Sequence, residues 1–473
     1  MKLFDKHKNQ RTKQEIVKPS RAIQTFAYQT LAFFPTLGLT AILLTFSTLT
    51  SFGQIQTPKP PTFENNFPQP FTPNPNNNLT PNLKNQPAQN QLNQYQKDFQ
   101  KQQNQRQELE AIYREISQPS KPTTTATVNY DLPSCASVQG ASAYRYAFTE
   151  ISKMAEGQKT FTLKEANFLV ENAFYENQAQ FEQFNKTIQQ IGQFLTWKIE
   201  ELNYDKNSNL AKNLILYRFF SDTLEIKSKN LKHLPFKYDF DDYMANEDWT
   251  KMFVEKALAT NSGQCHSLPL LYLILAEEIG AKAQLAYSPS HSNVKFQDDN
   301  DKWHNIELTN GMMSTDAFVL QSGYIKAEAL QNKIYMQPLN QNELLSHVLF
   351  DLAKGYAVKY CYDSFVETII EKALELDSNN INAHMVKSDY ATMRFMYIQK
   401  QLNISPDNIN QYPKAKKLLD DMYAQYAIVD NLGFEEMPAA AYEKWLGSLQ
   451  EAKQKQESEQ MIFKLNHEIE LKK

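Results

Sequence analysis

The sequence predicts an α+β fold, a buried helix packed on a small antiparallel sheet and flanked by further helices. Three observations predict it. An almost wholly apolar helical pattern runs from Leu268 to Ile279. Three short strand patterns follow it between Ala281 and Thr309, and helical periodicity occupies the chain on both sides of this unit. Glycine is sparse, 12 of 473 residues, while Asn and Gln are plentiful, which argues for helices and polar linkers over an all-β architecture.

Taken in order, the chain opens with a basic segment. Residues 1–21 hold seven Lys or Arg against two acidic residues, and Ala22 to Pro58 carries no charge. Within that run Leu31 to Leu49 is mostly apolar, interrupted by Pro35 and Gly38. A basic flank before an uncharged apolar stretch is the pattern of a membrane-targeting segment whose basic end stays inside. Residues 1–21 are therefore expected to be a cytoplasmic n-region, and residues 22–53 a signal peptide or membrane anchor. Ser51-Phe52-Gly53 offers the small residues that signal peptidase prefers, whereas the long basic region and near-spanning length favour a retained anchor. Both outcomes stay open. The expected location is the periplasm or cell envelope, tethered to the inner membrane if the segment is retained.

Residues 54–125 are rich in Pro, Asn, Gln and Thr and poor in aliphatic side chains, so they cannot bury enough apolar surface to offset chain entropy. They are expected to form a disordered linker, except for a helical pattern from Gln91 to Ile116. The net charge is −4, with no long basic stretch past the N-terminus, so nucleic acid is not an expected partner.

Residues 126–343 are expected to form one domain. Helical patterns cover Ala141–Glu156, Phe181–Leu202, Leu210–Thr223 and Trp249–Ala259. Another begins at Thr162-Leu163-Lys164-Glu165, which reads as a capping box with Phe161 as its staple against Ala166. The aromatic residues Trp197, Tyr217, Phe219 and Phe220 are expected in the core. Next comes the apolar helix, with Ser262 and Gly263 as turn residues and Pro269 tolerated in the first turn. Cys265 falls at its N-terminus, where unpaired N–H groups and the helix dipole favour a thiolate. Strands are expected at Ala281–Ser288, His291–Gln297 and Lys302–Thr309, the last two joined by an acidic hairpin turn. If Asp299 centres that turn, His291 and Glu307 are opposed on one face; a one-residue slip sets His291 against Leu308. In the first register a thiol, a base and a carboxylate that orients the base come together as nucleophilic catalysis requires. His266 and His304 are expected to be incidental neighbours.

These residues resemble the transglutaminase-like superfamily, in particular a bacterial form of the core followed by tetratricopeptide-like helices. The resemblance lies in Gly263-Gln264-Cys265-His266-Ser267-Leu268-Pro269-Leu270-Leu271-Tyr272-Leu273, in Pro289-Ser290-His291, and in Trp303-His304-Asn305-Ile306-Glu307-Leu308-Thr309. It implies a papain/transglutaminase-like core with a Cys265–His291–Glu307 triad. The superfamily usually places aspartate near Glu307, so the acid here is one methylene longer, and Asn305 is a candidate accessory orienter.

Residues 344–473 are expected to be helical and tetratricopeptide-like. Leu352 to Tyr356 with Ala373 to Asn380 resembles one such unit, but no second repeat appears at a fixed period. Further helices are expected at Ile381–Leu402 and Tyr412–Val429, and another after Met437-Pro438, with a charged tail from Gln450. Of three cysteines, Cys135 and Cys361 are left over: a candidate disulfide in an oxidising compartment, or two separate thiols. No second Cys/His pair has zinc-ligand spacing, so neither a metal nor another cofactor is expected. The functional expectation is an enzyme, a cysteine hydrolase or acyl transferase acting on amide bonds of a peptide or protein substrate. The alternative is a non-catalytic envelope scaffold that binds a protein partner through its C-terminal helices.

Overall fold

The computed structural model describes residues 128–321, 323–449 and 451. The expectations for the basic region, the targeting segment, the linker to residue 125, the 91–116 helix and the tail beyond Glu451 lie outside these residues. Among the described residues no helix is long and apolar enough to cross a membrane.

The chain is mixed helix and sheet with a C-terminal helical region. Four helices come first: α1 (Ala141–Ala155), α2 (Leu163–Phe174), α3 (Phe181–Glu201) and α4 (Asn209–Ser221). Each begins and ends close to its sequence signals. Gly157, at φ 69°, follows α1, and Thr162 caps α2 by accepting from the Glu165 N–H at 3.3 Å. The expected capping box is only half made, because the Glu165 carboxylate turns away to Lys159 at 2.6 Å. A strong lysine partner competes successfully with the backbone N–H. The reciprocal box occurs instead at Asn340 and Glu343, opening α9.

Short strands β1 (Leu224–Ile226) and β2 (Leu231–His233) pair antiparallel. Strand β3 (Lys237–Tyr238) pairs in parallel with β4 (Ser262–Gly263), so Ser262 and Gly263 form a strand, not the expected turn. Gly263 is needed there because a Cβ would come within 3.0 Å of both Ser267 and Leu268. The expected 249–259 helix divides into a 3₁₀ turn, Trp249–Met252, and α5 (Val254–Thr260).

Helix α6 (Ser267–Glu278) is the central element. Every residue from Ser267 to Ala276 is buried, as its all-round apolar sequence requires. It packs on α3, α4 and α5 and on strands of an antiparallel meander, β5 (Gln284–Ser288), β6 (His291–Gln297), β7 (Trp303–Glu307) and β8 (Met312–Ser314). The fourth strand was not expected; three residues are too few to show alternation. Pro289 and Ser290 form a two-residue hairpin between β5 and β6, with Ser290 at φ 57°.

Two short helices, α7 (Asp316–Leu320) and α8 (Ala327–Gln331), lead to α9 (Gln341–Lys359), α10 (Ser364–Leu376), α11 (Ile381–Gln401) and α12 (Pro413–Leu432). Neighbours in sequence pack on one another, and α9 also packs on α1 and α2. One apolar core therefore runs without a break from Ala141 to Val386, across the 343/344 division. Cys135 and Cys361 form a disulfide that ties the segment before α1 to the end of α9. A last helix, α13 (residues 439–449), returns to the sheet end of the molecule.

Candidate active site

Three elements converge on Cys265. The residue lies between β4 and α6, half-buried, and is the only free cysteine among the described residues. No side chain caps the N-terminus of α6, so the positive end of the helix is presented at the thiol. The Ser292 hydroxyl of β6 donates to the Cys265 carbonyl and holds the cysteine against the strand that carries His291.

The β6–β7 register differs from the expected one. Val294 faces Ile306 and Lys295 faces Asn305, so Asn300 centres the turn and the ladder places residue 293 against residue 307. Relative to the expected pairing, the register moves by two residues. A shift of two preserves the face on which each side chain points, whereas a shift of one reverses it. His291 and Glu307 are therefore diagonal neighbours on a shared face, within reach for long side chains. The extra methylene of Glu307 spans that diagonal: its Oε2 is 2.8 Å from His291 Nε2. Glu307 Oε1 accepts the Thr309 N–H at 2.9 Å, which fixes the carboxylate.

With Nε2 committed to Glu307, the Nδ1 edge of His291 faces the thiol side. There Tyr442 of α13 brings its hydroxyl 3.4 Å from His291 Nδ1 and 3.6 Å from Cys265 Sγ, donating to the sulfur. Trp445, one turn further along α13, sets its ring edge-on to His291 at a centroid distance of 4.5 Å. The His291 side chain is left 1% exposed. Tyr238 of β3 completes the wall, and Met437, Tyr442, Trp445 and Leu446 pack around it.

Charge and burial oppose each other here. Burial pushes the Cys265 thiol up, but the His291 imidazole, then the Tyr442 hydroxyl and the His266 charge, prevail and hold it below its ordinary value. Burial disfavours the His291 imidazolium, yet Glu307 and Cys265 outweigh it and hold His291 at about 10. Burial raises Glu307, and the His291 charge with the Thr309 N–H brings it below the usual carboxylate range. The arrangement favours a thiolate–imidazolium pair with a carboxylate behind it, which is an activated nucleophile with its own proton donor.

Asn305 does not orient His291. It lies on the shared face, two residues nearer the turn than Glu307, and its amide donates to Asp316 Oδ1 at 2.6 Å. Both imidazole nitrogens already have other neighbours. His304 stacks on Phe296 and meets Asp298 at 2.8 Å inside the hairpin, away from the cysteine. His266 is not incidental. Its Nδ1 contacts the Met252 carbonyl at 2.9 Å and its Nε2 contacts Asp351 Oδ1 at 3.0 Å. Burial disfavours the charged ring, but Asp351 holds His266 up at about 9.

Tyr442 and Trp445 were not legible as site residues. Tyr442 stands 177 positions from Cys265 in a helix whose sequence signals only its start, at Met437-Pro438. Comparison with protein-family models, curated proteins and solved structures finds nothing that matches this chain.

Proposed function

We propose that the chain is an exported or membrane-anchored cysteine hydrolase or acyl transferase of the transglutaminase-like kind, acting on amide bonds of a peptide or protein. The observation that carries this reading is the 2.8 Å His291–Glu307 contact, with the opposite edge of the same imidazole turned to Cys265 and Tyr442. A helix that presents a cysteine to an antiparallel sheet bearing the base is also the coarse arrangement a papain/transglutaminase-like core requires. The Cys135–Cys361 disulfide supports an oxidising compartment.

In the proposed reaction the Cys265 thiolate attacks the amide carbonyl carbon, and backbone N–H groups at the start of α6 stabilise the oxyanion. The C–N bond then breaks as His291 Nδ1–H gives its proton to the leaving amine, leaving a thioester on Cys265. Glu307 keeps the ring oriented and balances its charge. Attack by water, deprotonated by His291, releases an acid; attack by an amine gives a new amide. Free thiolate is restored in both. The test is a mass-spectrometric search for an acyl adduct on Cys265 after exposure to cell-envelope extracts, with Cys265→Ser as control. An adduct confined to the parent protein is expected. A parent protein that stays unmodified, also with peptide thioesters that need no amide activation, overturns the reading.

A second reading has one observation in its favour: Tyr442 and Trp445 of α13 cover the imidazole. In this reading the protein is a non-catalytic envelope scaffold, binding a protein partner through its C-terminal helices. A Cys265→Ala protein that binds its partners normally but loses the biological effect contradicts it.

A further inference from the structure

A small recess, with room for about one water molecule, lies beside the nucleophile helix, lined by His266, Asp351, Glu171 and Tyr144 but not by Cys265, His291 or Glu307. His266 Nε2 lies 3.0 Å from Asp351 Oδ1, and His347 Nε2 lies 3.2 Å from Asp351 Oδ2. The three donor atoms fall within 4.8 Å of one another. His347 and Asp351 are four residues apart on α9, which puts both on one face of that helix. His266 is brought to them from the residue after the nucleophile.

The outer contacts of the two rings suit metal ligation. The Met252 carbonyl can only accept, so His266 Nδ1 carries the hydrogen, and in the neutral ring Nε2 turns its lone pair toward the carboxylate. The Tyr287 hydroxyl sits 2.6 Å from His347 Nδ1 and can accept its hydrogen, leaving the Nε2 lone pair of that ring free as well. His347 is 2% exposed, and its Nε2 makes no hydrogen bond despite approaching Asp351. A polar atom so deeply buried without a hydrogen bond destabilises the fold unless a ligand satisfies it. The Tyr144 hydroxyl, on the recess wall, also lacks a hydrogen-bond partner. Each imidazole approaches its own oxygen of Asp351, at 3.0 and 3.2 Å, and each of these separations suits a nitrogen and an oxygen that are both about 2.0–2.2 Å from an ion, with the carboxylate reaching toward both rings.

We propose that His266, His347 and Asp351 bind a divalent first-row transition ion of the zinc class, with an open coordination position toward the recess. Two imidazoles with one carboxylate select such ions over magnesium or calcium, which prefer oxygen ligands throughout. The ion clamps α9 of the C-terminal helical region to the start of the nucleophile helix. Spacing along the chain conceals the set, since 266 and 347 are too far apart to read as a motif.

The test uses the full chain carrying Cys265→Ser, so that the thiolate cannot bind metal. The protein is stripped with chelator, dialysed, titrated with cobalt(II) or zinc(II), and read by elemental analysis and by the cobalt d–d absorption. One equivalent per chain is expected, with a rise in thermal midpoint because the ion binds only the folded protein. His347→Ala and Asp351→Asn are each expected to weaken binding at least about tenfold, since even outer-contact losses at metal sites do so. His304→Ala, which removes the imidazole of a different His–carboxylate pair, is expected to keep the full equivalent. Well under one equivalent on the stripped protein, or unchanged binding in His347→Ala, overturns the proposal and leaves a proton-held His266–Asp351 pair. If the variants do not fold, the titration and melting of the stripped protein decide alone.

Discussion

Two imidazole–carboxylate pairs flank one cysteine, one buried and one partly exposed, and they are built differently. In His291–Glu307 the carboxylate takes Nε2 and the Nδ1 edge is turned to the Tyr442 hydroxyl and the sulfur. In His266–Asp351 the carboxylate also takes Nε2, but Nδ1 is spent on the Met252 carbonyl. With no ion at His266, both rings are held charged by their acids, to about 10 and about 9. Only the first has a nitrogen left with which to exchange a proton with Cys265. While protonated, the second acts on the thiolate only as a fixed positive charge, weaker in its effect than His291 and Tyr442. Adjacency in sequence to the cysteine therefore does not decide which imidazole can exchange a proton with it; the commitments of the two ring nitrogens do.

This contrast can be broken most severely at the first pair. In a turnover assay His291→Ala is expected to lower the rate by about 10²–10⁴, the usual contribution of a positioned acid–base group. Glu307→Gln is expected to approach that loss while keeping the ring in place. It should also move the His291 titration, followed by NMR, to lower pH from about 10, because burial then acts without the opposing carboxylate. Asp351→Asn should fall well short of Glu307→Gln in the same assays; an equal loss would erase the distinction between the pairs.

Smaller effects sharpen it. Opening the Cys135–Cys361 bridge by Cys361→Ser should destabilise the fold by about 2–4 kcal/mol in denaturant unfolding. The Cys265 pH profile should stay in place, since the bridge joins the segment before α1 to the end of α9. Tyr442→Phe removes one hydrogen bond to the sulfur and should raise the thiol pKa by about one unit, the scale of a hydrogen bond to a charged group. Asn305→Ala should change turnover by no more than about twofold, as befits a side chain outside the critical network. A large loss there would restore Asn305 as an orienter.

How much of this was legible in the sequence follows from the range of each signal. The bounds of β6 and the burial of α6 on all sides came directly from local periodicity, and Cys265 was placed at its helix start. The acidic turn predicts a hairpin register two residues from the observed one, yet His291 and Glu307 still meet because strand faces repeat every two residues. Asn305 fits the same parity but engages Asp316 instead of His291, a partner set beyond β8 that local pattern does not show. Tyr442, Trp445 and the His266–His347–Asp351 convergence depend on chain return from far downstream, for which local pattern carries no signal.

The pH profile of Cys265 alkylation by iodoacetamide in the native protein decides whether the thiol is activated, because its midpoint reports the thiol pKa even where α13 slows access. The expected midpoint lies below the ordinary thiol value of about 8.5 and shifts upward in His291→Ala, with a rate at pH 7 lower by about tenfold. A midpoint at or above that ordinary value, unchanged in His291→Ala, would contradict an activated thiol.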